Sequence, residues 1–113
     1  MMLFSKIKRC NDDRVIKAGL NVLTDFRNVG IGVMSFACCF KRGTLIFSFG
    51  YDAPYSENIQ TAMATRFANN LPKEEKYKKV EYYPSEKFNA ECAKYCKKDP
   101  GLWLVVISHH KKK

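Results

Sequence analysis

Residues 28–54 read NVGIGVMSFACCFKRGTLIFSFGYDAP, and this stretch decides the fold. Two apolar runs, about residues 30–40 and 44–49, are separated by Lys41-Arg42-Gly43. A short loop that ends in glycine is typical of a β-hairpin, because glycine accepts the left-handed backbone that such turns need. Both runs are apolar at nearly every position, which favours central strands covered on both faces. The stretch therefore predicts two antiparallel strands in the interior of a sheet.

Helical periodicity flanks this hairpin. A first helix is predicted between a capping cluster at residues 11–13 and an end near 28–30. Gly19 is costly inside that helix, so we interpret it as the mark of a close approach to the sheet. A second helix follows the cap residues 52–56, and a third begins at Ser85. Their apolar stripes are, in order, Val15, Ile16, Leu20, Leu23 and Phe26; then Ile59, Ala62, Met63 and Phe67; and then Phe88, Cys92, Tyr95 and Cys96.

Two further strands complete the predicted sheet. Residues 77–83 alternate polar and apolar side chains, which indicates a less buried strand, whereas residues 102–107 are continuously apolar and indicate a buried one. The order α-β-β-α-β-α-β predicts a single α/β (α+β) domain over residues 1–113, with a mixed sheet covered by helices. We expect the strands at 44–49 and 102–107 to be central, and residues 108–113 to form a polar, basic tail.

The composition narrows the class of partner. Twenty Lys and Arg against eleven Asp and Glu give a formal net charge of +9. A chain this basic attracts polyanions, because neutralising phosphates releases condensed counterions. No apolar run approaches the roughly 20 residues of a membrane span, and the basic start lacks the apolar segment of a secretory signal. An odd count of five cysteines favours unpaired thiols in a reducing, cytoplasmic environment, and neither a membrane partner nor a cofactor is expected.

A mixed aromatic and basic surface is predicted around the third strand and the third helix. Tyrosine stacks on bases and lysine contacts phosphates, so such a surface suits single-stranded nucleic acid. It equally suits an acidic protein, for which tyrosine is a favoured anchor. A third interpretation is a lysine-fringed edge strand that resists aggregation. The predicted binding residues are Lys76, Lys78, Lys79, Tyr82, Tyr83, Lys87 and Lys94.

The element order resembles the core of the cytidine deaminase-like fold. In that family the helix after the hairpin opens with a His/Cys-x-Glu motif, the helix after the third strand opens with Pro-Cys-x-x-Cys, and the His and Cys residues hold zinc. Here the first position reads Tyr55-Ser56-Glu57, in which Glu57 matches the proton shuttle, whereas Tyr55 stands at the ligand position and cannot replace a His or Cys. The second reads Pro84, followed two turns later by a wider Cys92-Ala93-Lys94-Tyr95-Cys96. The resemblance implies a relative without the metal.

Two functions from different classes follow from these patterns. The first, which we favour, is a non-catalytic binding protein that docks on nucleic acid or on an acidic protein, as an inhibitor or an adaptor would. The alternative is a deaminase-like zinc hydrolase that acts on a nucleobase, with a site built from Glu57, Cys92 and Cys96. Cys92 and Cys96 share a helix face near His109-His110, which is a permitted zinc set. Because Phe88 lies on the same face, both thiols are more simply core residues. The oligomeric state stays open.

Cys38 and Cys39 are adjacent on the first predicted strand. Because successive side chains of a strand point to opposite faces, these two thiols cannot chelate one metal ion together. Both lie within a continuously apolar run, and a free cysteine in such a run behaves as a small hydrophobic residue. We therefore predict that both are core residues.

Overall fold

A five-stranded mixed sheet forms the centre of the fold. The computed structural model describes the backbone of residues 2–7, 12–98 and 104–109, and the side chains of residues 12–94. The strand order is β1-β5-β2-β3-β4, in which β3 and β4 are parallel and every other neighbouring pair is antiparallel. In chain order the elements are β1 (Met2–Ile7), α1 (Asp13–Asn28), β2 (Val33–Lys41), β3 (Thr44–Tyr51), α2 (Glu57–Asn69), β4 (Val80–Tyr82), α3 (Ser85–Lys98) and β5 (Leu104–His109).

The predicted fold class is confirmed, because helices cover a mixed sheet within one domain of α+β type. The expected order α-β-β-α-β-α-β is present, preceded by β1, a strand that the sequence pattern did not predict. Both β3 and β5 lie between two neighbours, as expected of central strands. Strand β5 begins and ends two residues later than predicted and includes Ser108 and His109. The burial predicted for the 102–107 strand concerns side chains outside the described ones.

The hairpin between β2 and β3 has a two-residue turn. Lys41 pairs with Thr44, so Arg42 and Gly43 are the two central residues. Their φ angles are 51° and 82°. Positive φ at both central residues is the mark of a type I′ turn, whose twist matches that of the flanking strands. The turn therefore fixes the register that buries alternate side chains of β2 and β3 on each face.

The larger core lies between the sheet and helices α1 and α2. Phe36 of β2 and Phe47 of β3 contact Phe67 of α2, with ring centroids 5.1 and 4.4 Å apart. All three rings are buried. A Cβ at Gly19 would overlap the Phe36 ring, so the predicted close approach of α1 to the sheet is confirmed. None of the described helices has both the length and the apolar content needed to cross a bilayer.

A smaller core lies on the opposite face of the sheet, under α3. Its buried members are Ala37, Cys39, Ile46, Tyr83, Phe88 and Cys92. Cys38 belongs to the larger core, so Cys38 and Cys39 point to opposite faces as predicted. Cys38, Cys39 and Cys92 are all buried thiols, which confirms their assignment to the core. The side chain of Cys96 lies outside the described part of the chain.

The segment before β4 differs from the prediction. Only Val80–Tyr82 forms a strand, and Glu75–Tyr77 forms a 3₁₀ turn instead of the first part of a longer strand. The turn directs Tyr77 into the larger core, where the ring is 6% exposed. Its hydroxyl donates a 2.8 Å hydrogen bond to Asp12. This buried hydrogen bond requires the turn, which local alternation of polar and apolar residues does not reveal.

Candidate functional site

Two basic segments lie side by side at one end of the sheet. The first is the β2–β3 turn with Lys41 and Arg42, and the second is Lys78-Lys79, just before β4. The backbone N–H of Leu45, directly after the turn, donates a 2.9 Å hydrogen bond to the Lys79 carbonyl oxygen. Because β3 and β4 are parallel neighbours, the second segment lies beside the turn. Arg42, Lys78 and Lys79 are exposed.

Helix α3 brings another lysine to the same end. Glu91 of α3 forms a 3.5 Å ion pair with the Lys41 ammonium, which places this part of the helix against the end of β2. Lys94 is exposed and follows Glu91 by three residues, about one helical turn. We refer to this end of the sheet as the hairpin-end surface. Its five basic residues are Lys41, Arg42, Lys78, Lys79 and Lys94.

Carboxylates offset part of this charge. Glu75 lies 3.4 Å from the Lys78 ammonium, and their side chains are 88% and 69% exposed. An ion pair so open to solvent contributes little and exchanges readily with another anion. The Lys41–Glu91 pair is different, because both side chains are mostly covered. Glu91 therefore holds Lys41 in position, whereas Lys78 can still contact a ligand.

Arg42 occupies an unusual backbone conformation for its residue type. Its φ of 51° lies in the left-handed region, where Asn, Asp and Gly are favoured. For other L-residues that region costs roughly 1 to 2 kcal/mol. An exposed arginine therefore occupies a position where asparagine or glycine would suit the backbone better.

The remaining two predicted lysines differ in position: Lys76 lies close to the hairpin-end surface, and Lys87 lies away from it. Lys76 is in the 3₁₀ turn, close in sequence to Lys78, and its ammonium lies 5.2 Å from the Tyr77 ring centroid. Lys87 lies in the first turn of α3, and its ammonium is 4.6 Å from the Tyr83 ring centroid. It precedes Lys94 by seven residues, which is roughly 10 Å along a helix. Lys87 thus lies toward the other end of α3.

Tyr83 lies in the smaller core and not on an open surface. The residue is 5% exposed. Its hydroxyl accepts a 3.1 Å hydrogen bond from Lys41 and donates one of 3.3 Å to Glu81. Because the residue is buried, Tyr83 has no ring face open for a base to stack on, and the Lys87 ammonium lies 4.6 Å from its ring centroid. The hydroxyl of Tyr83 therefore helps to position the Lys41 ammonium by accepting its hydrogen bond.

Tyr82 points to the opposite face of the sheet and is half-buried. Its hydroxyl donates a 3.1 Å hydrogen bond to Gln60 of α2 and lies 3.4 Å from the Tyr51 hydroxyl. The ring packs against Phe47, with centroids 5.7 Å apart. Burial raises the pKa of both Tyr51 and Tyr82. Tyr82 therefore links β4 to β3 and α2, away from the hairpin-end surface.

Sequence reasoning missed the two basic residues of the turn. The sequence pattern indicates only a hairpin loop at Lys41 and Arg42, whereas the lysines before β4 and on α3 interleave with tyrosines and therefore form the predicted binding set. A signal was present in the sequence, since Arg-Gly stands where Asn-Gly or Asp-Gly is the common choice for a two-residue turn. The pairing of β3 with β4 was needed to bring this turn beside Lys78 and Lys79.

The residues of the alternative zinc site are not assembled by the described part of the fold. Glu57 is exposed in the first turn of α2, whose buried residues belong to the larger core. Cys92 is buried in the smaller core, on the other face of the sheet, with its sulfur 2.9 Å from that of Cys39. Among the described side chains, no three His, Cys, Asp or Glu residues are close enough to hold a metal ion. The side chains of Cys96 and His109-His110 are not among them.

An open groove of about 480 Å³ lies at the other end of β3, where α3 begins. Its polar lining includes Tyr51, Gln60, Tyr82, Ser85 and Glu86. The two tyrosine hydroxyls and the Gln60 amide are already hydrogen-bonded to one another. The groove therefore offers fewer unsatisfied groups to a ligand than its lining suggests.

Comparisons with protein-family models, with curated proteins and with solved structures gave no match. They neither support nor oppose the resemblance to the cytidine deaminase-like fold. A function for this chain must therefore be inferred from its own geometry and charge.

Proposed function

We propose that this chain is a non-catalytic binding protein whose hairpin-end surface docks on nucleic acid. The observation that carries the proposal is Arg42, an exposed arginine held with φ of 51° at the tip of a type I′ turn. The guanidinium is planar and matches the geometry of a phosphate through two parallel hydrogen bonds. A turn that presents this group at its tip is well shaped to contact a phosphate backbone or to enter a groove.

The distribution of charge supports the same surface. Five cations and the three carboxylates Glu75, Glu81 and Glu91 lie at the hairpin end, against seven cations and seven carboxylates elsewhere in residues 12–94. The excess positive charge of this region is thus concentrated at one end of the sheet. A concentrated field attracts a polyanion more strongly than the same charge spread over the surface.

The type of cation favours docking over sequence recognition. Four of the five basic residues at the hairpin end are lysines, which contact phosphates as point charges. Specific base contacts usually come from the bidentate arginine fork or from Asn and Gln. We therefore propose binding that depends on the phosphate backbone and discriminates weakly between sequences. Such a docking surface has no need of a catalytic group and suits an inhibitor or an adaptor.

The test is a binding measurement by fluorescence anisotropy with labelled single-stranded RNA, single-stranded DNA and duplex DNA across a salt series. The logarithm of the affinity should fall with that of the salt concentration, with a slope of about 0.7 to 0.9 for each phosphate contacted. The variant Lys78→Glu/Lys79→Glu should bind more weakly to every sequence and show a shallower slope. Both side chains are exposed, so the fold should be retained.

The matched control is Lys17→Glu, which makes a charge change of the same kind at an exposed position of α1. Lys17 lies beside Asn21, Asp25 and Asn70, on the face of the sheet opposite α3. It should leave both affinity and salt slope nearly unchanged. Equal binding by the parent and by Lys78→Glu/Lys79→Glu would contradict the proposal. The same variants would then serve as controls in a pull-down designed to find an acidic protein partner.

A further inference from the structure

Two cysteines from distant parts of the chain meet in the smaller core. The sulfur of Cys39 on β2 lies 2.9 Å from that of Cys92 on α3, although 53 positions separate them in sequence. Their exposed fractions are 2% and 4%, and Phe88 and Tyr83 are buried in the same cluster. A disulfide sulfur pair is about 2.0 Å apart, so a small movement of α3 would bring the two atoms into bonding distance.

We infer that Cys39 and Cys92 form a redox-sensitive pair that hydrogen peroxide converts into an intramolecular disulfide. The inference goes beyond the proposed binding function and does not depend on it. Two observations carry it: the two sulfurs are already in contact, and the two elements that bear them both contribute buried residues to the smaller core. Cys38, the adjacent residue, points into the larger core and is excluded by the alternation of the strand.

Hydrogen peroxide alone supplies the two-electron oxidation that converts the two thiols into a disulfide. The Cys92 thiolate attacks one oxygen of hydrogen peroxide, the O–O bond breaks, and sulfenic acid and hydroxide form. The Cys39 sulfur then attacks the Cys92 sulfur, an S–S bond forms, the S–O bond breaks, and the released oxygen leaves as water. The proton lost by Cys92 and that lost by Cys39 end in the two water molecules. Overall, two thiols and one peroxide give one disulfide and two waters.

Cys92 is the better candidate for the first step. The hydrogen bond between the Cys39 and Cys92 sulfurs lowers the pKa of Cys92, while burial and the nearby Glu91 act in the opposite direction. Thiolate, not thiol, is the nucleophile toward peroxide. Both sulfurs are almost fully covered, so a small neutral oxidant reaches them more easily than a bulky disulfide such as oxidised glutathione.

The disulfide would link α3 covalently to β2 close to the hairpin-end surface. Cys39 precedes Lys41 by two residues, and Cys92 precedes Lys94 by two. Oxidation would therefore fix the spacing between the turn and the lysine of α3. This consequence for binding depends on the proposed function, whereas the formation of the disulfide does not.

The experiment treats the reduced protein with one equivalent of hydrogen peroxide, blocks the remaining thiols, and maps tryptic peptides by mass spectrometry without reduction. Cleavage at Arg27, Lys41, Lys87 and Lys94 gives peptides 28–41 and 88–94, so Cys92 is separated from Cys96. We expect these two peptides to be linked, with the loss of two hydrogens, and to separate after addition of dithiothreitol.

Peptide 28–41 contains both Cys38 and Cys39, so one matched pair of variants assigns the bond. Cys38→Ser should still form the link, and Cys39→Ser should abolish it. Circular dichroism of each variant before oxidation checks that the fold is retained. The inference is overturned if the unsubstituted protein forms no link between peptides 28–41 and 88–94. It is equally overturned if the link persists in folded Cys39→Ser or is lost in folded Cys38→Ser.

Discussion

The hydroxyl of Tyr77 donates a 2.8 Å hydrogen bond to the carboxylate of Asp12, across 65 positions of sequence. The same carboxylate caps α1, where it accepts a 2.9 Å hydrogen bond from the backbone N–H of Arg14 and a 2.7 Å one from its guanidinium. Tyr77 directly precedes Lys78-Lys79 of the hairpin-end surface. One buried carboxylate therefore connects the start of the first helix to the segment that carries two of the proposed binding residues.

We predict that Asp12→Ala lowers the free energy of unfolding by about 2 kcal/mol or more. The substitution removes a helix cap, worth roughly 0.5 to 2 kcal/mol, and removes a hydrogen-bond acceptor of the buried Tyr77 hydroxyl. Urea unfolding measures the change. Asp13→Ala is the control, since that side chain is exposed in the first turn and should cost only a few tenths of a kcal/mol. Equal losses in the two variants would contradict the role given to Asp12.

The same carboxylate predicts a dependence of stability on pH. Hydrogen bonds from the Arg14 side chain, opposed by burial and reinforced by Tyr77, lower the pKa of Asp12 in the folded state. The unfolded value is about 3.9, so the stabilisation is present above that pH and is lost as the pH falls toward the folded-state pKa. The difference in Tm between the parent and Asp12→Asn should therefore be largest near neutral pH and shrink below about pH 3. A difference that stays constant with pH would contradict this assignment.

Gly19→Ala should destabilise the protein although it improves helix propensity. The propensity gain is about 1 kcal/mol, but the new Cβ would overlap the Phe36 ring, and overpacking of a core typically costs 1 to 3 kcal/mol. Phe36 is fully buried, so its ring has little room to move away. Asn21→Ala, at an exposed position of α1, is the matched control and should be neutral or slightly stabilising. The denaturant midpoint of Gly19→Ala should fall, and that of Asn21→Ala should stay unchanged or rise slightly.

The sequence predicted those parts of the fold whose signals are local. The hairpin follows from two apolar runs and a loop ending in Gly43, and α2 begins after Ser56, within the predicted cap residues 52–56. Strand β1 was missed because Met2–Ile7 is a short segment whose only described partner is β5, at the far end of the chain. The turn at Glu75–Tyr77 was missed because it depends on Asp12, which no local pattern connects to Tyr77.

The candidate site was predictable only in part for a related reason. The exposure of the lysines before β4 and on α3 could be predicted from their charge alone, because charged side chains stay in contact with solvent in almost any fold. Composition did not show that Tyr83 is covered by α3, because the alternation of residues 77–83 does not reveal that the second face of the sheet is also buried. Composition also does not predict that Arg42 lies beside Lys79, because that proximity arises from the parallel pairing of β3 and β4.

Tyr82→Phe should separate a structural role of this residue from a binding role. The change removes the hydroxyl that contacts Gln60 and Tyr51, so we expect a loss of about 1 kcal/mol in unfolding free energy. Because burial raises the pKa of Tyr82, the contribution of the neutral hydroxyl should also be lost as the pH rises above about 10. Affinity for nucleic acid should stay within twofold of the parent. A large loss of binding with unchanged stability would instead place Tyr82 in the interface.

The most discriminating variant of the proposed surface is Arg42→Asn, because it should change stability and binding in opposite directions. Asparagine accepts the left-handed backbone of this position more readily than arginine, so the free energy of unfolding should rise by up to about 1 kcal/mol. Loss of the guanidinium should weaken binding to nucleic acid by roughly fivefold and reduce the salt slope by about one phosphate contact. Arg42→Lys is the matched control, since it keeps the charge and the strained backbone but loses the planar fork, and it should show an intermediate affinity without a gain in stability. Urea unfolding and a salt series of anisotropy titrations give both quantities on the same samples. A more stable Arg42→Asn protein that binds as tightly as the parent would show that the strained arginine is not held for the sake of a phosphate ligand.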